Sequence, residues 1–217
     1  MKLTREPFTK RLKTYLSYSC WVGVFFFGLY PIINWFTSTR TNFFTFYVAA
    51  ELAIPFIPVF VWFYLSMYLV FMLPVFFLNS SELKRLAYEL ITVTIVGAII
   101  FLLFPAQLGF IRQLPESDIY REIFEYIFSL DQPHNLVPSL HVAYSVTIVL
   151  AIVQHSRSLV RYGLLIWLSG LILSTVFTHQ HHLLDILTGA LLSFFTYQLM
   201  DRRYEKITDS GRDAIQH

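Results

Sequence analysis

Ser174-Thr-Val-Phe-Thr-His-Gln-His-His-Leu-Leu-Asp-Ile-Leu-Thr-Gly189 sets a polar cluster between two apolar runs, residues 162–177 before it and 183–200 after it. Each run approaches the roughly 20 residues of helix that cross a bilayer. Two such runs joined by a short polar turn predict a pair of membrane helices. His181 and Asp185 stand four apart, so on a helix they share a face and the carboxylate reaches the imidazole. A carboxylate on one ring nitrogen fixes the tautomer and leaves the other nitrogen free as nucleophile or metal ligand. Polar groups are expensive inside a membrane protein and mark a functional site.

The rest of the composition agrees with a membrane setting. Of 217 residues, 56% are hydrophobic and 18% aromatic, far from an ordinary soluble domain. Mean hydropathy is +0.57. The net charge of +2 gives no basis for binding nucleic acid, and the single cysteine, Cys20, excludes a disulfide framework or a cysteine metal site. A basic lead (Lys2, Arg5, Lys10, Arg11, Lys13) precedes an apolar run from Leu16 to Phe36. That run exceeds a signal-peptide core and has no small-x-small cleavage site, so it reads as a retained first membrane helix.

Working outward, the pattern predicts an all-α polytopic membrane protein, a six-transmembrane-helix bundle. Residues 43–78 are apolar for too long for one span, and Pro55 and Pro58 break them. The expected division is an interfacial or re-entrant piece over 43–54, with Glu51 at the interface, and a second span over 57–78. A third span is expected over 90–110, then a polar connection over 111–137 with a short surface helix at 122–130. The fourth, fifth and sixth spans cover 138–153, 162–177 and 183–200. Residues 1–15 and 201–217 flank a single catalytic domain at 16–200, the latter as a charged, loosely ordered tail.

Charge orients this bundle. With both termini cytoplasmic, thirteen of the sixteen Lys and Arg residues fall inside, and only Arg40, Arg112 and Arg121 fall outside. The same topology brings Arg112, the segment Pro138-Ser-Leu-His141, Ser174, and His181 with Asp185 to one depth on the extracytoplasmic side. Such a set suits phosphoryl transfer, where charge spreads over the phosphoryl oxygens and needs fixed cations and hydrogen-bond donors. Arg112 offers a planar fork, and Ser139 with the first N–H groups of the fourth helix offers an anion seat. His181, oriented by Asp185, is the candidate nucleophile, and His141 the acid and base.

Pro138-Ser-Leu-His141 and Ser174-x6-His181-x3-Asp185 resemble the second and third motifs of the type-2 phosphatidic acid phosphatase superfamily, Pro-Ser-Gly-His and Ser-Arg-x5-His-x3-Asp. The resemblance implies a membrane enzyme without cofactor or metal, acting on a lipid phosphate or pyrophosphate in the bilayer. It implies His181 as nucleophile, Asp185 as its partner, His141 as acid/base, and Ser139 and Ser174 as phosphate ligands. Thr175 stands where the family has arginine, Leu140 where it has glycine, and Pro105-Ala-Gln-Leu-Gly-Phe-Ile-Arg112 keeps the arginine of the first motif without its lysine. These departures, and the paired histidines, are similar to the branch of inositol phosphorylceramide and sphingomyelin synthases, so hydrolysis and transfer to a second lipid alcohol both stay open. His179, His182 and Asn135 are expected behind the catalytic groups. Two other classes compete: a metal site built from His179, His181, His182 and Asp185, and a transporter with a polar outer mouth. Transporter sites usually lie near the midplane instead.

Overall fold

The computed structural model describes residues 6–213, with side chains up to Asp201. Expectations for residues 1–5 and 214–217 fall outside the described residues. The fold is all-α: α1 (Phe8–Ser38), a helix in three pieces (α2, Val61–Leu65; α3, Met67–Val70; α4, Pro74–Phe77), α5 (Ser80–Leu103), α6 (Asp118–Leu130), α7 (Leu140–Val153), α8 (Ser158–Phe177) and α9 (Leu183–Asp213). Among the described residues, four helices are long and apolar enough to cross a membrane: α1, α5, α8, and α9 as far as Asp201. The apolar helical stretches Pro58–Val70 and Leu140–Val153 are shorter.

Helix α7 is the centre, packed against α5, α8 and α9, while α1 lies along α5. It is apolar on nearly every face, the pattern of a fully surrounded helix, and nine of its residues are buried, from Leu140 to Ile152. Small and hydroxylated side chains join it to its neighbours, as in other membrane bundles. Thr94 on α5 meets the Tyr144 hydroxyl at 2.6 Å, and Thr147 meets Ser193 on α9 at 2.8 Å. The outward faces carry large apolar residues such as Trp21, Phe27, Trp35, Leu69 and Ile166.

Several boundaries differ from the sequence expectation, each for a local reason. α5 starts at Ser80, ten residues before the expected third span, because Asn79 and Glu82 form a reciprocal capping box. Lys84 and Arg85 therefore lie within its first turns. Arg85 pairs there with the buried Glu89 at 2.9 Å and with Asp201 at 2.8 Å. It ends at Leu103, before Pro105. The stretch expected to be the second span is instead a broken helix: the Ser66 hydroxyl turns back on the Phe63 carbonyl and also accepts the Trp167 indole N–H at 2.8 Å, and Pro74 opens the last piece. α6 begins at Asp118, four residues before the expected surface helix, and buries Phe124 and Ile127. α9 continues past Met200 to Asp213, where a loose tail was expected.

The ends of the helices sort by charge. Lys10, Arg11 and Lys13 on α1, Lys84 and Arg85 on α5, and the α7–α8 turn with Arg157 lie at one end. The Arg11 guanidinium holds the Val75 carbonyl, and the Ser80 N–H donates to Glu6 there. At the opposite end meet the C-termini of α1, α5 and α8 and the N-termini of α7 and α9.

Candidate active site

The α8–α9 turn fixes the first histidine through its backbone. Helix α8 closes in a Schellman arrangement, with the Gln180 N–H on the Thr175 carbonyl (2.9 Å) and the His179 N–H on the Val176 carbonyl (2.9 Å). The His181 N–H also reaches Thr175 O, at 3.0 Å. This turn requires a left-handed residue, usually glycine, and His179 supplies it at φ 54°. Its ring holds it there, stacked on Phe110 at 4.1 Å with Nε2 on the Ile54 carbonyl at 2.9 Å.

Two carboxylates then sit at the start of α9, where the helix dipole favours negative charge. Asp185 Oδ2 accepts the His182 backbone N–H at 2.8 Å and lies 3.3 Å from His181 Nδ1. Glu51 Oε2 accepts the Leu183 N–H at 2.8 Å and lies 3.3 Å from His182 Nδ1, while Oε1 accepts the Val48 N–H. Glu51, expected to belong to an interfacial or re-entrant piece, is 5% exposed and anchors this helix start. Burial pushes its carboxyl up, but the N–H groups of Leu183 and Val48 and the His182 ring outweigh that, leaving it below the ordinary value. His182 Nε2 accepts the Gly109 N–H at 3.0 Å, so Nδ1 carries the proton and donates to Glu51. Tyr47 and Phe110 sandwich this ring at 4.5 and 4.3 Å. Burial lowers the pKa of both His179 and His182.

The second histidine arrives on α7. Ser139 caps that helix, its Oγ accepting the Val142 N–H at 3.4 Å, and its backbone N–H donates to the Asp185 carbonyl at 2.9 Å. One turn further on α9, Gly189 lies against Ser139; a Cβ there would stand 2.5 Å from the Ser139 carbonyl oxygen. This close approach brings His141 Nδ1 to 3.3 Å from His181 Nε2. The far nitrogen of His141, Nε2, lies 2.7 Å from the Tyr64 hydroxyl on α2. With His181 Nδ1–H on Asp185, one consistent tautomer chain follows: His141 Nδ1–H faces the His181 Nε2 lone pair, and Tyr64 donates to His141 Nε2. Gly189→Ala is expected to pry α7 from α9, lowering stability by about 1–3 kcal/mol and turnover far more. Thermal melting in detergent beside steady-state kinetics checks this, and parental turnover would show that the helix spacing does not matter.

A cavity of about 520 Å³ opens at this pair, with His141, His181, Asp131 and Asn135 at its polar end. Asn135 is held by the Thr37 hydroxyl (2.9 Å) and Asn34 (3.2 Å). The Tyr30 hydroxyl donates to Asp131 Oδ1. Arg112, Ser139, Ser174 and Thr175 stand outside the lining. Arg112 lies at the C-terminus of α6, its Nη groups on the carbonyls of Phe128 (3.3 Å) and Asp131 (2.5 Å), its plane over the Phe128 ring. Its Nε–H is buried and has no partner among the described residues. Burial lowers its pKa, opposed by the Asp131 charge. The Ser174 and Thr175 hydroxyls donate back to Leu171 and Ile172 carbonyls, so either reaches a phosphate only by giving up that bond.

Sequence reasoning missed Tyr30 and Asp131 as cavity groups, Tyr64 as the partner of His141, and the role of Glu51. The thirteen tyrosines carry no signal that singles out two. Glu51 did carry one, as the lone acid in the apolar stretch 43–78.

Comparison with curated proteins and with solved structures finds no match. The membrane-type helical setting agrees with a family model that matches residues 33–199, that of the PAP2 superfamily, and the chain belongs to that superfamily.

Proposed function

We propose that this protein is a membrane-embedded lipid phosphatase, which cleaves a lipid phosphate or pyrophosphate through a phosphohistidine on His181. The observation that carries the proposal is the His141–His181 pair, held 3.3 Å apart with Asp185 behind it, at the head of a largely apolar cavity. PAP2 superfamily membership supports phosphoryl-transfer chemistry.

In the first step the His181 Nε2 lone pair attacks phosphorus and the bond to the lipid-side oxygen breaks. The His141 imidazolium gives its Nδ1 proton to that oxygen, releasing the alcohol, or the shorter phosphate from a pyrophosphate. In the second step a water attacks the phosphohistidine and gives its proton to the neutral His141 Nδ1, freeing phosphate and restoring His181. Asp185 stabilises the charge that develops on the His181 ring. Tyr64 holds His141 by Nε2 throughout these two steps, its hydroxyl oxygen accepting the Nε2–H both of the cation and of the neutral ring that has lost its Nδ1 proton. Arg112 and the first turn of α7 at Ser139 are the proposed phosphate ligands.

Six helical passes, with α2–α4 and the short α7 as the second and fourth, would form a single domain over 16–200 with both termini cytoplasmic. The positive-inside distribution supports an outward or lumenal site. Non-helical backbone at 131–139 is tolerated within a membrane where protein surrounds it. Transfer of the phosphoryl group to a second lipid is the alternative reading, favoured by one observation: Asp131 puts a carboxylate in the cavity, suited to hold an acceptor hydroxyl. A metal centre from the histidine cluster is disfavoured by geometry, because His182 uses both ring nitrogens on Gly109 and Glu51, and His179 turns to Ile54.

The deciding experiment incubates purified protein with a panel of lipid phosphates and pyrophosphates, with and without EDTA, and follows free phosphate and new phospholipid. Phosphate release that survives EDTA is expected. New phospholipid without phosphate would move the assignment to transfer, and loss on chelation restored by zinc would restore the metal reading.

A further inference from the structure

The cavity extends far beyond the groups that chemistry needs. From Tyr30 it follows α1 back past Phe26, Gly23 and Ser19 to Tyr15. Fifteen residues of helix correspond to about 22 Å, more than the roughly 15 Å half-thickness of a bilayer core. The opposite wall comes from α3, α5 and α7, including Met67, Ala87, Leu90 and Tyr144. Polar groups gather at the histidine end, and aromatic and aliphatic side chains line most of the remainder. A volume of 520 Å³ lies within the range of pockets that enclose a whole small ligand.

We propose that this cavity is the binding subsite for one extended hydrocarbon chain of the lipid substrate, with the chain's phosphorylated end at His181 and its far end toward Tyr15. The inference rests on the lipid-phosphatase reading and adds that the protein, rather than the surrounding bilayer, holds the chain. Two features favour a single extended chain. The cavity is continuous with the catalytic pair, so a chain bound there cannot be separated from the reacting end. Its length also runs along one helix rather than spreading sideways.

Gly23 sits midway along the path and makes the inference testable. A Cβ there would meet only the Phe27 ring, at 3.8 Å, so a larger side chain is accommodated locally and narrows the cavity. Gly28, on the same helix, is outside the lining and a Cβ there meets nothing within 4 Å. The experiment measures kcat/KM of the full-length protein for a short-chain and a long-chain phosphate monoester with the same headgroup. Each buried methylene is worth about fourfold in binding. Gly23→Leu is therefore expected to lower the long-to-short ratio at least about tenfold, and Gly28→Leu to leave it unchanged. Ala87→Leu, on the facing wall, should repeat the shift and covers a failure of Gly23→Leu to fold. An unchanged ratio in folded variants would place the chain in the bilayer and overturn this inference while leaving the phosphatase reading intact. A parent enzyme that cleaves neither ester would overturn the phosphatase reading and this inference with it.

Discussion

His181→Ala is expected to lower kcat by about 10⁴-fold or more, the scale seen when a nucleophile that works as a unit with its base is removed. His181 is 5% exposed, and the backbone that places it is held by Thr175 and by the start of α9, not by the imidazole. The variant should therefore remain a folded membrane protein with a near-parental melting profile. Parent enzyme quenched during turnover should carry acid-labile phosphate on protein, and His181→Ala should carry none. His141→Ala should lose about 10²–10⁴-fold, the usual contribution of a positioned acid and base. Asp185→Asn should be the mildest of the three, because an amide oxygen placed at Oδ2 still accepts the His182 N–H and the His181 Nδ1–H, and only the charge is lost. Activity within twofold of the parent for His181→Ala would remove the phosphohistidine from the mechanism.

Arg112→Ala is the second large effect expected. A phosphate with one or two charges needs a cation, Thr175 stands in the arginine position of the third motif, and the site end of the bundle holds Arg40, Arg112 and Arg121. Arg40 packs over Phe36 at 4.9 Å, and Arg121 is exposed on α6. Arg112 lies beside Asp131, whose side chain lines the cavity, and keeps a buried Nε–H without a partner. A charge-assisted bond contributes roughly 1.5–3 kcal/mol, about ten- to a hundredfold or more in kcat/KM when it forms in the transition state. Arg112→Lys should recover little, since an ammonium keeps the charge and loses the fork. Arg112 also caps α6, so loss of activity alone does not separate binding from structure. Inhibition by free inorganic phosphate does: it should weaken in parallel with kcat/KM in both Arg112 variants and stay parental in Arg40→Ala and Arg121→Ala. Near-parental kinetics and inhibition in Arg112→Ala would leave the phosphate to helix N-termini and hydroxyls.

Local chemistry determined what could be read from the sequence. The apolar runs dictate helices, because a long apolar segment satisfies its backbone internally in no other way within a membrane. The four-residue spacing of His181 and Asp185 made their pairing legible, although His181 stands just before the first turn of α9 and the pair closes across the helix start rather than along one helical face. The basic segments at 10–13, 84–85 and 157–161 likewise come together at one end, since each adjoins an alternate helix end. Boundaries were less legible: Asn79 and Glu82 started α5 early, and Ser66 and Pro74 broke the second helix. Capping and side-chain-to-backbone bonds decide such ends, and hydropathy does not register them.

Tertiary structure alone decided which distant residues complete the site. Tyr64 reaches His141 across 77 positions of sequence, and Glu51 reaches Leu183 across 132. Neither separation follows any helical period. Asp131 and Tyr30 meet inside the cavity only because α1 lies along α5 and the loop after α6 returns over both. The fit of Gly189 against Ser139 sets how close the two histidines come. Sequence specifies these contacts only through the packing of whole helices, whose mutual placement depends on every side chain between them. Ser174 and Thr175, expected from the motif as phosphate ligands, have their hydroxyls on carbonyls of their own helix for the same reason: a motif records residue types and spacing, while the rotamer belongs to the packed neighbourhood.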